Sequence, residues 1–196
     1  MLDDNQIKDI KNKIDKLGDK ELKSLLRELI EERNLLAKDI KIDYLTGAYN
    51  KRVIEDIKKY GVVVMCDVDN FKSIIDQYGH RVGDDILKLV AEEIKNHIRM
   101  NDILVRYGGD EFLIIFNYSN MDIIVNRMTL IQERVNKRSR GLNVTMSVGM
   151  SLPREGLDIN ETIKEADKAL YESKGNGKGI ITVYNPDKQQ ILCNKI

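Results

Sequence analysis

Cysteine is scarce: the 196 residues hold two, Cys66 and Cys193. Two residues so far apart build no disulfide framework and lack zinc-ligand spacing. Net charge is absent as well. Lysine plus arginine number 32, and aspartate plus glutamate also number 32. This balance removes the bulk electrostatic case for duplex nucleic acid or an anionic membrane surface, so neither partner is expected. Long apolar runs are missing, and none approaches the ~18 residues of a membrane span. The opening, MLDDNQIKDIKNK, is charged and lacks the apolar core of a signal peptide. No internal repeat and no low-complexity tract is found. What is present is an apolar fraction of 42%, enough for a packed core. The length suits one domain of ordinary size with about 40 residues to spare. A soluble cytoplasmic protein is the expectation.

Residues 1–42 differ from the rest, with no proline and a single glycine. Ile7, Ile10, Ile14 and Leu17 recur at helical spacing. Gly18-Asp19 interrupts, and Asp19 suits the cap of a second helix carrying Leu22, Leu25, Leu26, Leu29, Leu36 and Ile40 on one side. Two such helices read as a dimerising segment, either coiled coil or helical hairpin; packing on their own domain is the alternative. After Tyr49 strands and helices alternate. The run Val62–Val68 ends in acids and reads as a buried strand. Ile103–Tyr107 and Phe112–Phe116 read as strands joined by a tight turn at Gly108-Gly109. Asn143–Leu152 is a further strand, with a bend expected at Gly149, and Gly179–Tyr184 is the last. Helical spacing covers Gly83–Arg99, Asn120–Lys137 and Ile159–Lys174. Residues 185–196 read as a tail. The pattern predicts an α+β domain with helices over a mainly antiparallel sheet.

The chemistry is expected where acids interrupt apolar strands. Asp67 and Asp69 flank Val68, and would share a face if the strand continued. Asp110 and Glu111 follow the Gly-Gly turn directly. If the two strand ends lie side by side, Asp67 and Asp110 converge. Close carboxylates repel unless a cation sits between them. Magnesium takes such oxygen ligands and leaves room for phosphate oxygens. Turn acids in solvent are the alternative. Cys66 reads as a small core residue. His80 reads as structural and His97 as a surface residue; neither belongs to a metal constellation.

RYGGDEF at 106–112 carries the signature of the GGDEF family, the diguanylate cyclases, and five further motifs extend the resemblance over about residues 43–184. DYLTGAYNKR at 43–52 is similar to the family's opening, and CDVDNFK at 66–72 to its metal-binding DxDxFK. YGHRVGDDIL at 78–87 resembles GHxxGDxxL. NVTMSVGMS at 143–151 resembles the core strand, and ADKALYESKGNGK at 166–178 the last helix and basic turn. The resemblance implies a palm-like nucleotidyl cyclase fold, in which two subunits each bind one GTP and condense them into cyclic di-GMP with loss of two pyrophosphates. Carried over by position, Asp67, Asp110 and the Val68 carbonyl would hold two magnesium ions, with manganese as a substitute. Asp110 and Glu111 would help deprotonate the 3′-hydroxyl, and Lys72 would stabilise the transferred phosphate. Lys174 and Lys178 would hold the terminal phosphates, and Phe71 belongs to the same substrate-binding set. Phosphate transfer needs mainly positioning and charge neutralisation, which suits this inventory.

In one place the sequence departs from the family. The family reads K-x-I-N-D where this chain has Lys72-Ser73-Ile74-Ile75-Asp76, so Ile75 replaces the guanine-contacting Asn. Isoleucine offers no hydrogen bond to a base edge. Asp84, the other guanine contact, is retained, and adenine lacks the N1–H and 2-amino group it pairs with. Weakened base selection is therefore expected, with relaxed purine choice as an alternative. Arg99-Met100-Asn101-Asp102 lies nine residues before the first motif glycine, the offset of the family's product-binding inhibitory site. Arg99 suits a phosphate or guanine and Asp102 a guanine edge. Arg134 is a candidate second arginine for that site. A domain that only senses cyclic di-GMP is a further alternative, opposed by the retained acids and lysines.

Overall fold

The structure, a computed structural model, describes residues 4–16, 20–39, 41–139 and 141–186. The chain divides into two compact units, Met1–Lys41 and Ile42–Ile196. The first holds helices α1 (Asp4–Asp15) and α2 (Lys20–Asp39). Their junction is polar: Arg27 pairs with the Asp15 carboxylate at 2.5 Å, and the Lys23 ammonium donates to the Asp15 carbonyl at 2.6 Å. Ile14 is buried, whereas Leu22 and Leu29, one heptad apart, stay exposed. Leu17, Gly18, Asp19 and Ile40, read above as stripe and cap residues, lie outside the described residues, as does the tail beyond Pro186.

The second unit is built on six strands. They are β1 (Tyr49–Asn50), β2 (Val63–Val68), β3 (Ile103–Arg106), β4 (Glu111–Ile115), β5 (Met146–Ser151) and β6 (Ile181–Val183). Their spatial order is β1-β3-β4-β2-β5-β6. The central pairs β3–β4, β4–β2 and β2–β5 are antiparallel, and the edge pairs β1–β3 and β5–β6 are parallel. Helices α3 (Phe71–Tyr78), α4 (His80–His97), α5 (Met121–Arg138) and α6 (Ile159–Gly175) complete the α+β domain.

Strand alternation explains the layers. Val64, Cys66, Phe112, Ile114, Val148 and Met150 face one core, shared with Val90 and Ile94 of α4 and Met128 and Ile131 of α5. Val63, Met65, Leu113 and Ile115 face the other, against Ile163, Ala166 and Leu170 of α6 and a 3-10 turn at Lys51–Asp56. β2 is therefore covered on both sides, which is why its sequence is a continuous apolar run. The bend expected at Gly149 is absent, and β5 runs straight through it. The glycine serves packing instead: a Cβ there would lie 2.1 Å from both the Ala166 carbonyl oxygen and the Leu170 amide nitrogen. The backbone of α6 thus rests directly on β5. Helix α3 escaped the sequence reading. It is only eight residues long, too short for periodicity to register, and begins at a left-handed Asn70 with no side-chain cap.

Candidate active site

The β2–β4 register decides which acids meet. Asp67 stands directly opposite Glu111, and the Val68 N–H donates to the Asp110 carbonyl at 3.2 Å. The turn closes through the N–H groups of Tyr107 and Gly108, both donating to the Glu111 carbonyl at 2.8 and 3.2 Å. A Cβ at 108 would lie 2.3 Å from Glu111 Oε2, so a larger residue there would displace the Glu111 side chain. Arg106 braces the turn from outside. Its Nε and Nη2 donate to the Gly109 carbonyl at 3.2 and 2.7 Å, and its Nη1 to both Asp43 oxygens at 3.3 Å. Burial works against the Asp43 charge, but the Thr46 hydroxyl and N–H and the Arg106 guanidinium outweigh it and hold the carboxyl below its usual range.

The Asp67 carboxyl is pushed the other way. Burial raises its pKa first, and the neighbouring Asp110 and Glu111 charges add to this. Lys174, at the end of α6, opposes them with its ammonium 2.8 Å from Asp67 Oδ2. One ammonium among three carboxylates leaves the strand mouth short of positive charge. Hard oxygen donors in that state fit magnesium chemistry: the Asp67, Asp110 and Glu111 carboxylates and the Val68 carbonyl. Among the described residues no group of three or more His, Cys, Asp or Glu side chains is already assembled as a ligand cage.

Asp69 does not join them. The strand stops at Val68, and Asp69 turns inward to 3% exposure. Its carboxylate accepts from Thr145 Oγ1 at 2.7 Å, Ser147 Oγ at 2.6 Å and the Gly179 N–H at 2.9 Å. The sequence signal for this was two hydroxyl side chains two positions apart, Thr145 just before β5 and Ser147 within it.

Lys72 is exposed in the first turn of α3. Ile75 and Phe71 face the α3–α4 seam: a Cβ at Gly83 would lie 2.8 Å from Ile75 Cγ1 and 3.2 Å from Phe71 Cζ. Phe71 is buried in the core, while Asp84, next to Gly83, is exposed. Lys178 is exposed, with Nζ donating to Asn70 Oδ1 at 2.6 Å. Two lysines thus come over the β2 exit from the α6 side.

Arg99 and Asp102 sit apart from these groups, beyond the end of α4. Asp102 is buried; Oδ2 accepts from the Arg99 N–H at 2.8 Å and Oδ1 from the Asn117 N–H at 3.0 Å. The Arg99 guanidinium lies 4.4 Å from the Tyr118 ring centre. With Met100, Asn101, Asn117 and Tyr118 they line a hollow of about 250 Å³. Arg134 is engaged elsewhere, its Nε donating to Glu93 at 3.1 Å. His97 is half-buried rather than a surface residue, with Nδ1 2.7 Å from the Glu93 carbonyl.

The chain is similar to known proteins of one family. A family model described as "Diguanylate cyclase, GGDEF domain" matches residues 40–179. Diguanylate cyclase A of Treponema denticola is 39% identical over 127 residues, covering 62% of this chain and 34% of that protein. The cyclic di-GMP phosphodiesterase PdeR of Escherichia coli is 32% identical over 162 residues, covering 76% of this chain and 24% of that protein. The matches therefore span about a third or less of these curated relatives. Among solved structures, the coiled coil and GGDEF domain of DgcB from Caulobacter crescentus, in complex with c-di-GMP, superposes with a TM-score of 0.67. It is 25% identical, with 82% of this chain and 94% of that one covered. The family match covers most of the chain and contains the motifs quoted above, and the chain belongs to the GGDEF family.

Proposed function

We propose that this chain is a diguanylate cyclase acting as a homodimer on two GTP molecules. The observation that carries the reading is the pairing of Asp67 with Glu111 across β2–β4, beside Asp110 and under the Lys174 ammonium. Bound magnesium would neutralise phosphate charge and favour ionisation of the attacking hydroxyl. Asp67, Asp110, Glu111 and the Val68 carbonyl are the groups that would hold it. Lys174 would exchange its contact with Asp67 for one with a terminal phosphate, joined there by Lys178. Lys72 stands on the first turn of α3 to offset charge on the transferred phosphoryl group. Each 3′-hydroxyl oxygen bonds to the α-phosphorus of the other nucleotide, and the bond to pyrophosphate breaks. The hydroxyl proton passes toward Asp110 or Glu111.

Guanine is read by Asp84, whose exposed carboxylate accepts from N1–H and the 2-amino group. Ile75 supports a second reading, a cyclic dinucleotide synthase with relaxed purine choice, because its side chain packs toward Gly83 and brings no polar group to the base. The hollow at Arg99 and Asp102 is the proposed inhibitory site for the cyclic product. There the guanidinium is exposed beside Tyr118, while Asp102 already receives two N–H groups. A purely sensory domain would not need the clustered acids and lysines of the strand mouth.

The test is Asp67→Asn. Turnover of GTP with magnesium should fall by roughly a hundred- to a thousandfold. Thermal stability at neutral pH should hold or rise, because the substitution removes a charge that burial and two neighbouring acids disfavour. A folded variant with near wild-type turnover would defeat the metal assignment.

A further inference from the structure

We propose that Asp69 is a positioning residue that sets where Lys178 stands over the nucleotide's terminal phosphates. The inference rests on the reading of Lys178 as a phosphate-binding group.

Lys178 sits in an unusual stretch of backbone. Gly177, Lys178 and Gly179 have φ of +115°, +64° and +62°, so three successive residues occupy the left-handed region. Glycine enters that region freely, but a lysine does so at a cost and stays only where its surroundings hold it. Two contacts hold this turn from within the domain. The Lys178 N–H donates to the Ser173 carbonyl at 3.2 Å, which ties the turn to the end of α6. The Gly179 N–H donates to Asp69 Oδ2 at 2.9 Å, which ties it to the exit of β2.

Asp69 is well placed to be the fixed end of that tie. It is 3% exposed, its own N–H donates to the Thr145 carbonyl at 2.9 Å, and hydroxyls from Thr145 and Ser147 hold its carboxylate at 2.7 and 2.6 Å. One carboxylate therefore joins the β2 exit, strand β5 and the turn after α6. The residue that follows completes the link. Asn70 is itself left-handed, with φ of 56°, and its Oδ1 accepts from Lys178 Nζ at 2.6 Å. The N–H of the residue after Lys178 and the end of the Lys178 side chain are thus both fastened to the Asp69-Asn70 pair, just beyond Asp67. The acid repeat around Val68 divides its labour: Asp67 faces the charged mouth, and Asp69 faces inward to place the lysine opposite it. A carboxylate suits this place, because it accepts from all three partners at once.

Positioning of Lys178 makes a claim that a general structural role does not. Only a nucleotide with terminal phosphates should sense the loss of Asp69. The probes are a GTP analogue with a methylene-bridged α,β-phosphate, which cannot cyclise, and GMP, both titrated against the full chain with magnesium. For Asp69→Asn, affinity for the GTP analogue should fall roughly tenfold, the order expected from one charge-assisted contact, while GMP binding stays within about twofold. Lys178→Ala should show the same split, and the double variant should bind no worse than Lys178→Ala alone. Should Asp69→Asn fail to fold, Thr145→Val removes one donor to the carboxylate and should reproduce the split at smaller amplitude. Equal loss for both nucleotides, no loss for either, or full additivity in the double variant overturns the inference. A wild-type chain that binds GMP but gains nothing from the extra phosphates overturns it too. Binding of neither nucleotide by wild type would instead strike at the cyclase reading on which it rests.

Discussion

Ile75 and Asp84 lie on adjoining helices, one packed toward the Gly83 backbone and the other in solvent beside it. An asparagine in place of Ile75 would restore a hydrogen-bonding group to the base pocket, at the loss of about 1 kcal/mol of apolar packing. In a competition assay, Ile75→Asn should raise the GTP-over-ATP ratio roughly tenfold, the value of one recovered polar contact. Asp84→Ala should largely erase the preference, since adenine and guanine would then meet the same apolar surface. A ratio indifferent to both substitutions would show that other groups read the base. Asp67, Asp110 and Glu111 stood out in the sequence as acids at the ends of apolar strands, whereas Lys72, Lys174 and Lys178 were singled out only by the family resemblance. The pairing of Asp67 with Glu111 was not legible, because it depends on a cross-strand register that the sequence does not display. Nor was the inward turn of Asp69: the strand was read as ending at Val68, but nothing local shows which way the next side chain turns.

Helices α4 and α5 are joined by a buried acid. Glu93 has a side chain 1% exposed, and it pairs with Arg134 at 3.1 Å and with Arg138, each guanidinium about half in water. Burial opposes the Glu93 charge, but hydrogen bonds and attraction from Arg138 and Arg134 prevail and hold its pKa below the ordinary 4.5. A depressed folded-state pKa means that the stabilisation is fully present above the unfolded value. It is lost as pH falls through the folded one. Melting temperature should therefore drop on acidification below about pH 4.5, and Glu93→Gln should flatten that part of the profile. At neutral pH the variant should lose about 1–2 kcal/mol, less than a fully buried pair because water screens both arginines. An unchanged acid limb would place the linkage elsewhere. Long elements such as α4 and α5 were legible from periodicity, and Asn120 caps α5 through its side chain. Short ones were not: the two-residue β1 offers no pattern of its own, the 3-10 turn has only its Asn50 cap, and the apolar spacing Phe71, Ile74, Ile75, Tyr78 of α3 spans just two turns. Gly149 shows the same limit, since its purpose is set by Ala166, Ala169 and Leu170 of α6, seventeen or more residues downstream.

At the scale of the whole molecule, the cyclase reading requires two nucleotide sites to face each other, so rate should follow dimer concentration. Leu22 and Leu29 leave apolar surface exposed along α2, which supports self-association through residues 1–42. Removing residues 1–40 should shift the dimer to higher protein concentration in sedimentation and lower specific activity at the dilute end. Equal dimerisation and equal activity in the truncated chain would give the helices another role. Among the described residues no helix is long and apolar enough to cross a membrane. The most direct measurement is the product itself. The purified chain is incubated with magnesium and GTP, ATP or their mixture, and the products are identified by mass. The account predicts cyclic di-GMP and pyrophosphate in a ratio of one to two from GTP, with little product from ATP. Absence of any cyclic dinucleotide, or a product formed from ATP in preference, would contradict it.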